Sequence, residues 1–243
     1  MAYQNIFKRY ELKYLITCGQ KERLLAAMEP YMAPDQYGRT TIRNLYFDTP
    51  SYRLIRHSME KPVYKEKLRL RSYGRADPDS PVFVELKKKY CSVVYKRRLA
   101  MAEKDAMDWL CADKPCCVDS QISDEINYFL QYYENLTPKV FLSYEREAYY
   151  SCDGSDFRVT FDDIILCRKE ALSLTEDVWG QPLLDTDKVL MEVKTPGSIP
   201  LWLTQFLTAE RIYKTSYSKY GTAYQTMIFK GGHECADTFQ GDL

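Results

Sequence analysis

The run Lys65-Glu66-Lys67-Leu68-Arg69-Leu70-Arg71 restricts the possible folds of this chain more than any other stretch. In an extended strand successive side chains point to opposite faces, so Lys65, Lys67, Arg69 and Arg71 share one face and Glu66, Leu68 and Leu70 the other. Neighbouring cations at this period sit about 6.6 Å apart. They repel by about 2.5 kcal/mol at an effective dielectric of about 20, and by about 0.6 kcal/mol in open water. One such strand is an ordinary outer strand with its leucines buried and its charges wet. The same pattern returns in most later strands, and several cationic stripes facing one another require an anion between them.

The 243 residues fit one large domain or two small ones, and a β-barrel of this length is ordinary for a single domain. A hydrophobic share of 45%, with 21 Tyr and 10 Phe, supplies a sizeable core and favours strands over helices. Lys plus Arg equals Asp plus Glu at 34 each, so an anion site must come from arrangement rather than excess charge. That balance excludes a general coat for nucleic acid. No signal-peptide pattern opens the chain, and no apolar run approaches the length of about 20 residues a membrane helix needs. The eight cysteines show no C-x-x-C pair and only two histidines exist, which argues against a zinc site or a disulfide framework. A soluble, cytoplasmic globular protein with reduced thiols is expected.

Alternation predicts strands over 7–16, 41–48, 63–73, 82–89, 93–99, 139–150, 157–166 and 188–195. Helical spacing predicts helices over 21–28, 52–57, 104–111, 122–133 and 200–208, and the polar stretch 234–243 reads as a loose tail. Besides Lys67, Arg69 and Arg71, one common charged face gathers Arg9, Glu11 and Lys13; Glu85, Lys87 and Lys89; Lys96 and Arg98; Arg146; Arg158; and Glu192 with Lys194. The opposite face is largely apolar on most of these strands. Charges outward would give a basic-sided sandwich; charges inward, with helices over the apolar outside, would give a polar tunnel. About eight strands suffice to enclose a small ligand. Patterning permits both, but only a tunnel gives the interspersed glutamates a task, holding a divalent metal beside phosphate oxygens.

Arg9-Tyr10-Glu11-Leu12-Lys13-Tyr14, Asn44-Leu45-Tyr46-Phe47-Asp48-Thr49 and Leu68-Arg69-Leu70-Arg71 resemble the VTC domain, the polyphosphate polymerase domain of the triphosphate tunnel (CYTH-like) superfamily. Phe83 to Lys87, Lys96-Arg97-Arg98, Tyr144-Glu145-Arg146, Arg158 through Asp162, Glu192-Val193-Lys194 and Tyr217-Ser218-Lys219-Tyr220 follow in matching order. The resemblance implies one domain over 1–243, with its core over about 5–230. The implied fold is α+β, mainly antiparallel: an approximately eight-stranded closed β-tunnel with helices packed outside. The implied activity is transfer of the ATP γ-phosphoryl group to a growing polyphosphate chain, with Mn²⁺ or Mg²⁺ as cofactor. ATP and inorganic polyphosphate or triphosphate are the implied partners, without a nucleic-acid polymer or a membrane segment. Hydrolytic relatives begin E-x-E-x-K, whereas this chain has Arg9-x-Glu11-x-Lys13, which resembles the polymerase branch. Hydrolysis of triphosphates and non-catalytic polyphosphate binding are the alternatives.

Phosphoryl transfer needs charge neutralisation, in-line positioning and a metal more than covalent help. Arg69 and Arg71 are expected to clamp the triphosphate, because guanidinium matches phosphate bidentately. Arg146 and Arg158 are expected on the opposite wall, and Lys13, Lys87 and Lys96 as point charges along the path. The resemblance adds Lys219 and Ser218. Arg9, Lys67, Lys89, Arg98 and Lys194 complete the substrate-binding set, although Lys67, Lys89 and Arg98 could equally be rim charges and Lys194 a partner for a glutamate. Glu192 is the main metal candidate, with Glu11 or Glu85 assisting. Asp48 and Asp162 are read as strand-ending caps or metal ligands, and His57 and His233 as surface residues.

Overall fold

The computed structural model describes residues 6–91 and 93–229, with side chains from residue 10 onward. His233, Cys235, the 234–243 tail and the Arg9 side chain lie outside the described residues. The strands are β1 (Ile6–Thr17), β2 (Met32–Pro34), β3 (Thr40–Asp48), β4 (Tyr64–Tyr73), β5 (Pro81–Tyr90), β6 (Val93–Ala102), β7 (Thr137–Ser151), β8 (Arg158–Arg168), β9 (Gln181–Pro182), β10 (Lys188–Thr195) and β11 (Lys214–Thr215). The helices are α1 (Cys18–Met28), α2 (Arg53–Met59), α3 (Glu103–Cys111), α4 (Gln121–Tyr133), α5 (Leu201–Ala209) and α6 (Lys219–Met227).

Antiparallel pairing runs in the order β7-β3-β4-β5-β6-β1-β10-β8, and β8 pairs back with β7. These are the eight strands that alternation identifies. Among the described residues the sheet has eleven: β2, β9 and β11, of two or three residues each, pair outside this circuit and are too short to show a period. The seam between β1 and β6 spans only Ile6–Arg9 against Arg97–Val94, after which β1 pairs with β10. The closed tunnel expected from the resemblance is therefore not sealed along its full height.

The leucine faces point outward and are covered. Leu68 and Leu70 of β4 and Val84 and Leu86 of β5 are fully buried in one cluster with Trp109 and Leu110 of α3 and Ile126 and Phe129 of α4. On the other side, Ile16, Val159, Phe161, Met191 and Val193 pack against Leu24 and Met28 of α1 and Leu203 and Leu207 of α5. Burying a side chain of this size contributes about 1.5–3 kcal/mol, which fixes the apolar face outside and leaves the charged face toward the interior. Thr17 closes a capping box at the start of α1, as Ser120 does for α4.

Two helices depart from the expectation of outside packing. Ile55 of α2 and Tyr220, Ala223 and Tyr224 of α6 pack against Ile42, Tyr46, Leu142, Tyr144 and Leu190, residues on the same strand faces as the charges. Local propensity does not predict α6, because its nine residues include Gly221 and β-branched Thr222. Its signal is the spacing Tyr220, Ala223, Tyr224, Met227 behind the N-cap Ser218, whose hydroxyl accepts from Gly221 N at 3.2 Å. Gly221 permits this approach: a Cβ there would come within 3.2 Å of Ser218 Cβ and Oγ. Asp48 ends β3 as a cap. Its carboxylate accepts from the backbone N–H groups of Thr49, Leu54 and Ile55 and from Tyr220 OH, tying α2 and α6 to the strand. No helix among the described residues is long and apolar enough to cross a membrane.

Candidate functional site

A cavity of about 690 Å³ opens between the charged strand faces and the α2 and α6 helices. Of the residues singled out from sequence, Lys13, Lys67, Arg69, Lys87, Lys89 and Lys219 line it, together with Ser218. Glu11 and Glu192 line it too, as do Lys61, Lys65 and Lys214. Among the described residues nine cationic side chains therefore face two carboxylates.

The strand register explains this imbalance. Across β4 and β5, Lys65 stands opposite Lys89 and Lys67 opposite Lys87; Lys87 in turn stands opposite Lys96 of β6. Like charges directly opposite one another destabilise a sheet. At the next inward-facing step the sign changes, because Arg69 stands opposite Glu85. Lys13 is likewise opposite Glu192, and Arg146 opposite Asp162.

Electrostatics follow the register. Burial, with repulsion from Lys13, Lys87, Lys65 and Arg69, brings Lys67 down to about 7. Its Nζ lies 3.2 Å from Ser218 Oγ. Burial and the neighbouring Lys89, Lys13 and Lys61 also lower Lys65. Lys87 is held 2.7 Å from Glu11 across the β1 seam. Burial lowers Lys13 despite Glu192, 3.4 Å away, and its ammonium donates to the Tyr217 carbonyl at 3.0 Å.

Around Glu85, Asp162 and Glu192 the cations are already matched. Glu85 is fully buried; Arg69 and Lys96 contact it at 2.7 and 2.6 Å, and Arg71 lies at 3.8 Å. Burial alone would raise Glu85, but Arg71, Lys96 and Arg69 hold it well below the carboxylate range. Arg71 also donates to Asn44 Oδ1 and Tyr144 OH, and Arg69 to Tyr46 OH. Arg146 grips Asp162 through two hydrogen bonds of 2.6 Å, and Lys219 donates to the same carboxylate. Glu192 has Lys194, Arg146 and Lys219 within 3.3 Å in addition to Lys13. Burial would raise it, and Lys219, Lys194, Lys13 and Arg146 hold it well below its ordinary value. Lys194 is the glutamate partner it could have been from sequence. Arg158 stacks on Tyr150 and reaches Asp35 at 3.5 Å, and Arg98 sits over Phe83; neither lines the cavity. His57 is exposed.

Sequence reading missed Asp162 as an interior counter-charge, although it alternates with Arg158 and Thr160 on one face. Tyr46 and Tyr144, which line the cavity and hold the two arginines, were given no role.

Among the described residues no three His, Cys, Asp or Glu side chains gather to hold a metal. Glu11 and Glu192 nevertheless face one cavity from adjacent strands, since Glu11 pairs with Lys194 and Lys13 with Glu192. One or two carboxylates beside substrate phosphates and water form an ordinary Mg²⁺ environment, so this donor set fits a metal that enters with phosphate. Glu85, fully buried among three cations and off the cavity, does not fit that task.

The VTC domain family model matches residues 8–228. A crystal structure from Bacillus halodurans, provisionally described as an adenylate cyclase, superposes with a TM-score of 0.57 at 14% identity, covering 93% of this chain and 100% of that one. HpAC1 from Hippeastrum, described as an adenylyl cyclase candidate with a dominant triphosphatase activity, superposes with a TM-score of 0.50 at 16% identity, covering 94% of this chain and 96% of that one. No curated protein matches the chain. At such identities the structural likeness shows the fold alone.

Proposed function

The chain belongs to the VTC domain family, and from that premise we propose that it is a metal-dependent phosphotransferase moving the ATP γ-phosphoryl group onto inorganic polyphosphate. The observation that carries this reading is the double row Lys65/Lys89 and Lys67/Lys87 lining a cavity with Arg69. A sheet that sets like charges opposite one another is relieved when a polyanion lies between them. Lys67, Lys87 and Lys89 hold the phosphates, with Arg69 at the inner end. Lys13 and Lys219, both beside Glu192, stabilise charge on the transferring group. Glu192 and Glu11 would hold the divalent metal, which supplies neutralisation of phosphate charge.

Incubation with ATP and Mn²⁺ or Mg²⁺, with products resolved by size on a gel, tests the reading. A ladder of polyphosphate with ADP is expected. Release of ADP and phosphate without a ladder would support hydrolysis instead, the activity named for the Hippeastrum protein. The single carboxylate in Arg9-x-Glu11-x-Lys13 favours transfer, because it leaves fewer acidic groups to orient a hydrolytic water.

Tripolyphosphate at about 100 times its dissociation constant should stabilise the fold by about 2.7 kcal/mol. A thermal-shift series at low salt that shows no rise in midpoint would contradict the site.

The Lys67 ammonium sets a pH dependence. With its pKa at about 7 in the folded, ligand-free protein, binding above that pH must take up a proton. Affinity for tripolyphosphate then falls about fivefold between pH 7 and 8 from this one group. Stability of the ligand-free fold moves the other way. The unfolded chain holds this lysine proton up to about pH 10, so stability rises from about pH 7 to 10 as Lys67 and Lys96, also lowered to about 7, lose theirs. Calorimetry in buffers of different ionisation enthalpy should record proton uptake at pH 8 that Lys67→Met removes. Binding at pH 8 without proton uptake would refute it.

A further inference from the structure

We propose that the outer side of α2 forms a second binding site, for a mononucleotide, in which a flat aromatic base is joined to a phosphate. It does not rest on the polyphosphate reading of the tunnel cavity. A cavity of about 720 Å³ lies between α2, α4 and the outer face of β4, within the range of about 300–1,000 Å³ for small-molecule sites. It shares no lining residue with the tunnel cavity. The α2 helix gives Ile55, Ser58 and Met59 to the tunnel cavity, and Arg53, Leu54 and Arg56 to the outer one. The β4 strand divides likewise, with Lys65 and Lys67 inside and Tyr64 and Glu66 outside.

The carboxylates of the outer cavity are all engaged. Glu66 accepts from Tyr64 OH at 2.6 Å and from Tyr133 OH at 2.7 Å. Glu125 lies 3.3 Å from Arg97 and 3.5 Å from Lys88, and Glu60 lies 3.6 Å from His57. Arg53 and Arg56 pair with no carboxylate among the described residues, although both are exposed on the cavity wall. Arg53 instead lies over the rings of Tyr132 and Tyr133, 5.6 and 5.2 Å from their centroids. Two guanidinium groups are thus left for an anion from outside, and guanidinium matches phosphate bidentately. The facing wall, on α4, is aromatic. Tyr128 and Tyr132 stack at 6.2 Å and are 69% and 55% exposed. Phe129 of the same helix is buried in the outer core with Leu54, so the packing of α4 does not depend on those two tyrosines. Arginines on one wall and exposed tyrosines on the other match the two halves of a nucleotide. Neither an isolated phosphate nor an isolated ring engages both walls.

Metal-free calorimetric titration with AMP tests the site, because one phosphate gives the tunnel lysines little to hold. The parent should bind AMP at least about tenfold tighter than adenosine or inorganic phosphate alone, the effect of one charged hydrogen bond. Arg53→Gln with Arg56→Gln should weaken AMP by at least about the same tenfold. Tyr128→Leu with Tyr132→Leu should weaken it at least about fivefold, the low end for a base stacked on an aromatic ring. All four side chains are exposed, so both double variants should keep the parental melting midpoint. Lys67→Met, inside the tunnel cavity, should not change AMP affinity. Absence of AMP binding at millimolar concentration, or parental affinity in either double variant, would overturn the site. AMP binding lost in Lys67→Met and kept in the arginine variant would overturn it as well, since the nucleotide would then occupy the tunnel cavity.

Discussion

Replacing Arg69 and Arg71 together with Ala should lower the stability of the protein by about 3–5 kcal/mol, the range for breaking a buried ion pair from one side. From sequence alone the expectation is the opposite: neither arginine serves the apolar core, so the double variant should fold normally and lose only anion binding. The structure reverses this because both guanidinium groups face fully buried Glu85 and leave it with Lys96 when removed. Adding Glu85→Gln should recover part of the loss, since a neutral amide costs less to bury unpaired than a carboxylate. Urea denaturation of the double and triple variants measures both steps. A double variant with the parental midpoint would show that these pairs contribute nothing. In the triple variant tripolyphosphate should stabilise less than in the parent, because Arg69 at the inner end of the cavity is gone while the lysine rows remain.

Glu192→Gln should lower metal-dependent turnover at least about 100-fold, or about 2.7 kcal/mol of the several a divalent metal contributes to a phosphoryl transition state. The same variant should bind metal-free triphosphate as well as the parent or better. Glu192 lies within 3.4 Å of Lys13, Lys194, Lys219 and Arg146. A carboxylate there neutralises cations that phosphate would otherwise meet, and it repels phosphate unless a metal bridges the two. A purely structural Glu192 would keep the wall in shape through those four contacts, and its loss would weaken anion binding equally with and without metal. Calorimetry with tripolyphosphate, with and without Mn²⁺, beside a turnover assay separates the two. Full turnover in Glu192→Gln, or equal loss of binding in both conditions, would refute the metal role.

Much of the scaffold is legible in the sequence because a strand's period is a local property. The alternation in Lys65 to Arg71, Val82 to Lys89 and Lys188 to Thr195 places Arg69, Glu85 and Glu192 on charged faces without knowledge of any neighbour. The α4 helix is legible for the same reason, from Ile122, Ile126, Phe129 and Leu130. The short strands β2, β9 and β11 carry no period and could not be found. The α6 helix had its spacing masked by residues of low helical propensity.

The sequence by itself determined eight strands with two unlike faces, and which side chains share each face. It did not determine the direction of the charged face, which depends on where distant segments bury the leucines. Cover by α1, α3, α4 and α5 turned the charges inward. Nor did it determine which charges oppose which, because that is set by register between strands far apart in the chain. Register placed Lys67 opposite Lys87 but Arg69 opposite Glu85 and Arg146 opposite Asp162. One charged face thereby became both an anion cavity and a set of closed ion pairs, a distinction that exists only where separate strands meet.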